Sequence, residues 1–191
     1  MKIIYGDLFD QVADCIAITT NGYVKSNHEN VMGRGIAAEV AKRWPSIKHT
    51  LGAAIHAEGN RVHRLTIRFK ETPTGRWRYA LLDGLTDNLI HWDIVSFPVK
   101  PDLVISNGKN VVRHMVNRFP FGAKVPGWAA RANIKLIAQS CEELVALADR
   151  VGWKTIVIPR PGCGAGELDW EEVSPVLEAA FDDRFSVITL P

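Results

Sequence analysis

The chain has 191 residues, 47% hydrophobic and 23% charged, with a formal net charge of +2. That is enough to bury the core of one domain and short for two, and no apolar run is long enough to span a bilayer. Three widely spaced cysteines, Cys15, Cys141 and Cys163, argue against a disulfide framework or a metal cluster. The opening Met1-Lys2-Ile3-Ile4-Tyr5-Gly6-Asp7 lacks a signal peptide's apolar core. We therefore expect a single cytoplasmic, monomeric domain over residues 1–191, without membrane contact, metal or cofactor.

In chain order, residues 2–5 and 14–20 read as strands, the second a nearly continuous apolar run of the kind buried on both faces. A polar loop follows from Asn21 to Asn30. From Gly35 the apolar positions Ile36, Val40, Ala41 and Trp44 recur at helical spacing until Pro45, and a second helix is expected from Ser46 to about Glu58, closed by Gly59. Strands are expected near 61–69, 77–83 and 92–97, with turns at Thr72-Pro73-Thr74-Gly75 and Asp83-Gly84. Residues 101–130 predict an ordered loop with a weak helix around 110–118. After it, Ile137, Cys141, Leu144, Ala148 and Val151 form one helical stripe ending at Gly152. A buried strand at 154–159 leads to a glycine-rich loop. Asp169 and Glu172 have capping-box spacing, although Ser174-Pro175 offers another helix start. A last strand covers 185–190. Strands alternating with helices, without an internal repeat, imply a three-layer α/β/α sandwich with a mixed, largely parallel central sheet.

Two glycine-rich segments each follow a strand-like run and precede a helical one: Val31-Met32-Gly33-Arg34-Gly35-Ile36-Ala37 and Pro161-Gly162-Cys163-Gly164-Ala165-Gly166. Such loops leave backbone N–H groups unpaired at a helix N-terminus, where the helix dipole also attracts phosphate oxygens. Two of them suggest a diphosphate. Neither fits the dinucleotide fingerprint or the P-loop, and no serine triad, H-E-x-x-H or C-x-x-C pattern is present. Charge is unevenly distributed. Residues 100–135 carry Lys100, Lys109, Arg113, Arg118, Lys124, Arg131 and Lys135 against Asp102 alone, while 167–183 hold seven acids and no base. The basic stretch is either a solvated face or a contact for an anionic partner such as nucleic acid.

Taken in order, Gly6-Asp7-Leu8, Thr19-Thr20-Asn21, VMGRGIA, Ser96-Phe97-Pro98-Val99-Lys100 and PRPGCGAGELDWEEV resemble the motifs of macro domains, the ADP-ribose-binding fold. The branch resembled contains the DNA ADP-ribosyl glycohydrolase antitoxins, the terminal ADP-ribose-protein glycohydrolases and small phage-type macro domains. The resemblance implies that Asp7 accepts a hydrogen bond from the adenine amino group with the Leu8 backbone beside it, and that Asn21 faces the distal ribose. It gives the diphosphate to the backbone of Gly33, Arg34, Gly35 and Ile36 and of Pro161, Gly162, Cys163, Gly164, Ala165 and Gly166. Lys100 matches the lysine near C1″ of the distal ribose, as nucleophile on an opened ribose aldehyde or as acid–base partner; a phosphate-binding surface lysine is the alternative.

Some relatives in this branch carry an acid inside the second loop. Here that position is Gly166, with Glu167 next to it. His28 is a candidate proton shuttle or a solvated loop histidine. Cys163 is a candidate low-pKa nucleophile at a helix N-terminus or a small packing residue. Trp128 and Trp170 read as packing residues that could line a rim.

The function implied is hydrolysis of an ADP-ribosyl linkage at C1″, to protein, to nucleic acid, or to a terminal phosphate as in ADP-ribose 1″-phosphate. A non-catalytic ADP-ribose reader and a nucleic-acid-binding scaffold are the alternatives.

Overall fold

The structure, a computed structural model, describes residues 1–71, 77–80 and 89–189. Strands β1 (Lys2–Tyr5), β2 (Cys15–Asn21), β3 (Arg64–Glu71), β4 (Trp77–Ala80), β5 (Leu89–Lys100), β8 (Ile156–Pro159) and β9 (Phe185–Thr189) form one sheet. A separate ribbon pairs β6 (Leu103–Ile105) with β7 (Lys124–Pro126). The main sheet runs in the order β1-β9-β8-β2-β5-β3-β4. Neighbours are parallel from β1 through β5, and β3 and β4 add an antiparallel edge. The turns expected at 72–75 and 83–84 lie outside the described residues.

Strand β2 shows why the sheet is covered on both faces. Its alternate side chains belong to two different cores: Cys15 and Ala17 pack under the helices α3 (Ile134–Val151) and α4 (Trp170–Ala180), while Ile16 and Ile18 pack under α1 (Gly35–Arg43) and α2 (Ile47–Glu58). The α3 stripe read from the sequence is the buried one, with Ile137, Cys141, Leu144 and Ala148 fully enclosed. Asn133 caps the helix by accepting from the N–H groups of Lys135 and Leu136 at 2.9 and 3.3 Å, and Gly152 ends it in the left-handed conformation.

Two local expectations give way. Asp169 stands at the N-cap of α4, but its side chain makes no capping bond, so the capping box with Glu172 does not form. Pro175, which lacks an N–H, sits inside that helix. Residues 101–130 are also more than a loop with a weak helix. The β6–β7 ribbon and 3₁₀ turns at Arg113–Met115 and Gly127–Ala129 enclose their own small core of Val111, Val125, Ala129 and Ala130. Among the described residues no helix is long and apolar enough to cross a membrane.

Candidate functional site

The parallel strands direct their C-terminal ends to one side, where loops collect at a crevice as open α/β sheets commonly arrange them. A cavity of about 650 Å³ opens there, within the usual range for a small-molecule site. Its walls include Asp7 and Leu8 from the loop after β1, Thr20 and Asn21 from the end of β2, and Val99 and Lys100 from the end of β5. Gly33, Arg34, Gly35 and Ile36 of the first glycine loop and Gly162, Gly164, Ala165 and Gly166 of the second border the same cavity. Pro161 and Cys163 do not line it.

The first loop is the N-terminus of α1. Arg34 occupies the N-cap and offers no side-chain cap. The N–H groups of Gly33, Arg34, Gly35 and Ile36 have no acceptor among the described residues. The second loop turns its carbonyls inward. Gly162 O accepts from Leu168 N at 3.0 Å, Gly164 O from Glu167 N at 3.0 Å and Gly166 O from Ala132 N at 2.9 Å. The N–H groups of Gly162 to Gly166 are left without acceptors among the described residues. Two sets of free amides thus border one space, an arrangement suited to an anion.

Asn21 and Lys100 are register partners across β2 and β5, next to a bulge between Thr20 and Asn21 that re-aims the strand end. Both are buried, at 8% and 7% exposure. The Asn21 amide donates to Val31 O at 2.7 Å and accepts from Tyr23 N at 3.0 Å, leaving one N–H and one lone pair for a ligand. The fully buried Asn30 donates to the carbonyls of Asn21 and Tyr23 at 2.7 and 3.1 Å and so ties the loop back to β2.

Lys100 Nζ donates to Ala165 O at 2.7 Å. Burial, aided by Arg34 and opposed by Glu167, lowers its pKa from the ordinary 10.5 to about 8. Asp7 uses Oδ1 to accept from Phe9 N at 2.8 Å, capping a short 3₁₀ turn. Its second oxygen has no hydrogen-bond partner among the described residues.

Several candidates lie elsewhere. His28 is exposed, in the left-handed region at φ 64°, edge-to-face with His56 and away from the cavity. Its carbonyl sits where any Cβ on Gly52 would fall, so the loop is pressed onto α2. Glu167, also left-handed at φ 59°, directs both carboxylate oxygens to Arg113 N at 3.1 Å and does not line the cavity. Burial pushes the Cys163 thiol up to about 11, and Sγ donates to Pro161 O, which is the reverse of an activated nucleophile. Trp128 lines the cavity rim, whereas Trp170 packs on the core beneath the Arg160 guanidinium.

The walls also hold residues that motif reading passed over. Glu39, Val112, His114, Met115 and Thr189 all border the cavity. No local signal marks them, because their place depends on how the 101–130 lobe and the β8 and β9 ends close around the glycine loops.

A three-layer sandwich with two amide-lined loops over a parallel sheet's C-terminal edge is the macro-domain fold. The macro domain family model matches residues 101–177, the part of the chain that holds the second glycine loop, and the resemblance read from the sequence holds there in sequence and over the chain in fold. The macrodomain of Mycobacterium tuberculosis DarG is similar over 99% of this chain and 97% of that one, at 21% identity and a TM-score of 0.62. The macrodomain of Thermus aquaticus DarG matches over 100% and 97%, at 16% identity and a TM-score of 0.59. Thermosipho africanus DarTG, solved in complex with ADP-ribose, matches over 99% of this chain and 41% of that one, at 18% identity and a TM-score of 0.57. No curated protein matches in sequence.

Proposed function

We propose that this chain binds ADP-ribose in the cavity and hydrolyses a linkage at C1″ of its distal ribose. The observation that carries this reading is the convergence of two loops of free amides, at 33–36 and 162–166, on one cavity that also holds Lys100 beside Asn21. The amides take the diphosphate, the free oxygen of Asp7 takes the adenine amino group, and Asn21 takes the distal ribose hydroxyls. Lys100, anchored on Ala165 O, stands at C1″ with a pKa of about 8, so an appreciable neutral fraction is available as base near neutral pH.

The group removed is one carried by nucleic acid, by protein, or as a terminal phosphate. Lys109, Arg113, Arg118 and Lys124 are exposed on the 101–130 lobe, whose Met115 and Trp128 reach the cavity, and this favours nucleic acid. Arg131 is not part of that surface, since its guanidinium donates to Glu167 O. Added salt is expected to weaken binding of ADP-ribosylated DNA far more than binding of free ADP-ribose; equal salt slopes defeat the nucleic-acid assignment.

A second reading, a reader that binds ADP-ribose without turning anything over, is favoured by Glu167, whose carboxylate is engaged by Arg113 N rather than by Lys100. Lys100→Ala separates the two. With ADP-ribosylated DNA, ADP-ribosylated protein and ADP-ribose 1″-phosphate as substrates, an enzyme loses turnover and keeps its affinity for ADP-ribose by calorimetry. A wild-type chain that binds ADP-ribose and releases product from none of the three is the reader.

A further inference from the structure

Departure of a group from C1″ calls for a proton donor as well as a base, and the second glycine loop does not supply one. Glu167 faces Arg113 N, and Asp7 is already committed through Oδ1 to the turn after β1. Glu39 stands on α1, one turn past the first glycine loop. Among the described residues His114 is the histidine that borders the cavity.

Its place follows from a chain of contacts. Lys100 Nζ holds Ala165 O, the loop continues to Glu167, and the Glu167 carboxylate accepts from Arg113 N, the residue before His114. Arg131 fastens the same junction from the other side, donating its guanidinium to Glu167 O and its N–H to Asn110 O. Glu167 holds a left-handed backbone to make these contacts, a conformation that a non-glycine residue adopts at a cost.

We propose that His114, an exposed residue on the cavity border next to the Glu167–Arg113 contact, is the general acid of this site; this rests on the hydrolase reading above. In the step, a water oxygen bonds to C1″ as the bond from C1″ to the departing oxygen or nitrogen breaks. The electron pair stays with the departing atom, which takes the imidazolium proton of His114. The neutral fraction of Lys100 takes the proton lost by the water. The charged groups that border the cavity with His114 are Asp7, Arg34, Glu39, Lys100 and Arg160; Arg113 and Arg118 stand on its own exposed segment, and Glu167 faces Arg113.

The test compares wild type with His114→Gln on two substrates: whichever of ADP-ribosylated DNA or protein the wild type hydrolyses, and ADP-ribose joined at C1″ to p-nitrophenolate, which departs without a proton. His114→Gln is expected to lose about 100-fold or more in kcat on the first and less than about 5-fold on the second, in the range of general acid catalysis. Calorimetry should find its affinity for ADP-ribose within about twofold of wild type. The rates of both wild type and variant should rise with pH through about 8, as Lys100 becomes neutral. Equal losses on both substrates, or no loss on the first, overturn the role of His114 while leaving the hydrolase reading standing. A wild type that turns over neither substrate overturns both.

Discussion

The two glycine loops share a composition and a cavity but are built on different physics. In the first, a Cβ added at Gly33 or Gly35 meets nothing within 4 Å. There, Gly33 keeps the backbone bare so that a ligand can approach the N-terminus of α1, and Gly35, at φ +56°, also supplies a left-handed turn. In the second, a Cβ on Gly166 would fall 2.4 Å from Gly162 O, and one on Gly162, at φ +79°, would fall 2.9 Å from the Ile137 side chain. Each carbonyl from Pro161 to Gly166, apart from that of Cys163, accepts a hydrogen bond. One loop is open at the surface and the other is a cross-braced cradle. Glycine therefore serves access at Gly33 and packing at Gly162 and Gly166.

The sharpest way to break this contrast is Gly166→Ala, which drives a methyl into backbone and is expected to cost about 3 kcal/mol, read as a lowered thermal midpoint. A comparable effect belongs to Lys100, whose burial beside Ala165 O is unfavourable while it is charged. Its folded-state pKa of about 8 lies below the ordinary 10.5, so between those values the unfolded chain holds more protons and stability rises with pH. The pH dependence of wild type should therefore exceed that of Lys100→Met by about 3 kcal/mol across that window, measured by denaturant titration. A flat difference would mean that the amine is solvated.

Arg131→Ala removes the donor to Glu167 O and leaves that carbonyl short of a partner, an expected loss of about 1–3 kcal/mol with faster amide exchange in residues 162–167. Smallest in stability is Gly33→Ala, expected within about 0.5 kcal/mol of wild type because the space is open. Its ADP-ribose affinity should nevertheless fall, by calorimetry, about tenfold or more. If Gly33→Ala melts as early as Gly166→Ala, the first loop is packed after all and the distinction fails.

Regular periodicity made much of the fold legible. The α3 stripe with its closing Gly152 and the doubly buried β2 run were readable because each side chain's burial follows from its own spacing along one element. Residues 101–130 were not, since Val111, Val125 and Ala129 come together only when a short ribbon pairs across intervening turns. Cys163 misled for a related reason. The expected helix N-terminus argues for a lowered thiol pKa, but α4 begins only at Trp170, well past Cys163, and burial, invisible in the sequence, pushes the thiol up to about 11.

Sequence alone determined the alternation of strands and helices and the two glycine loops, because these rest on local propensity and spacing; Asn21 and Lys100 were singled out by the resemblance to macro domains. Tertiary structure decided which of those parts meet: that the loops at 33–36 and 162–166 share a cavity, that Glu167 turns to Arg113 and away from it, and that His114 and Arg160 join its walls. The physical reason is that such contacts link residues distant in the chain, and their geometry depends on strand register and on how two cores close on opposite faces of one sheet.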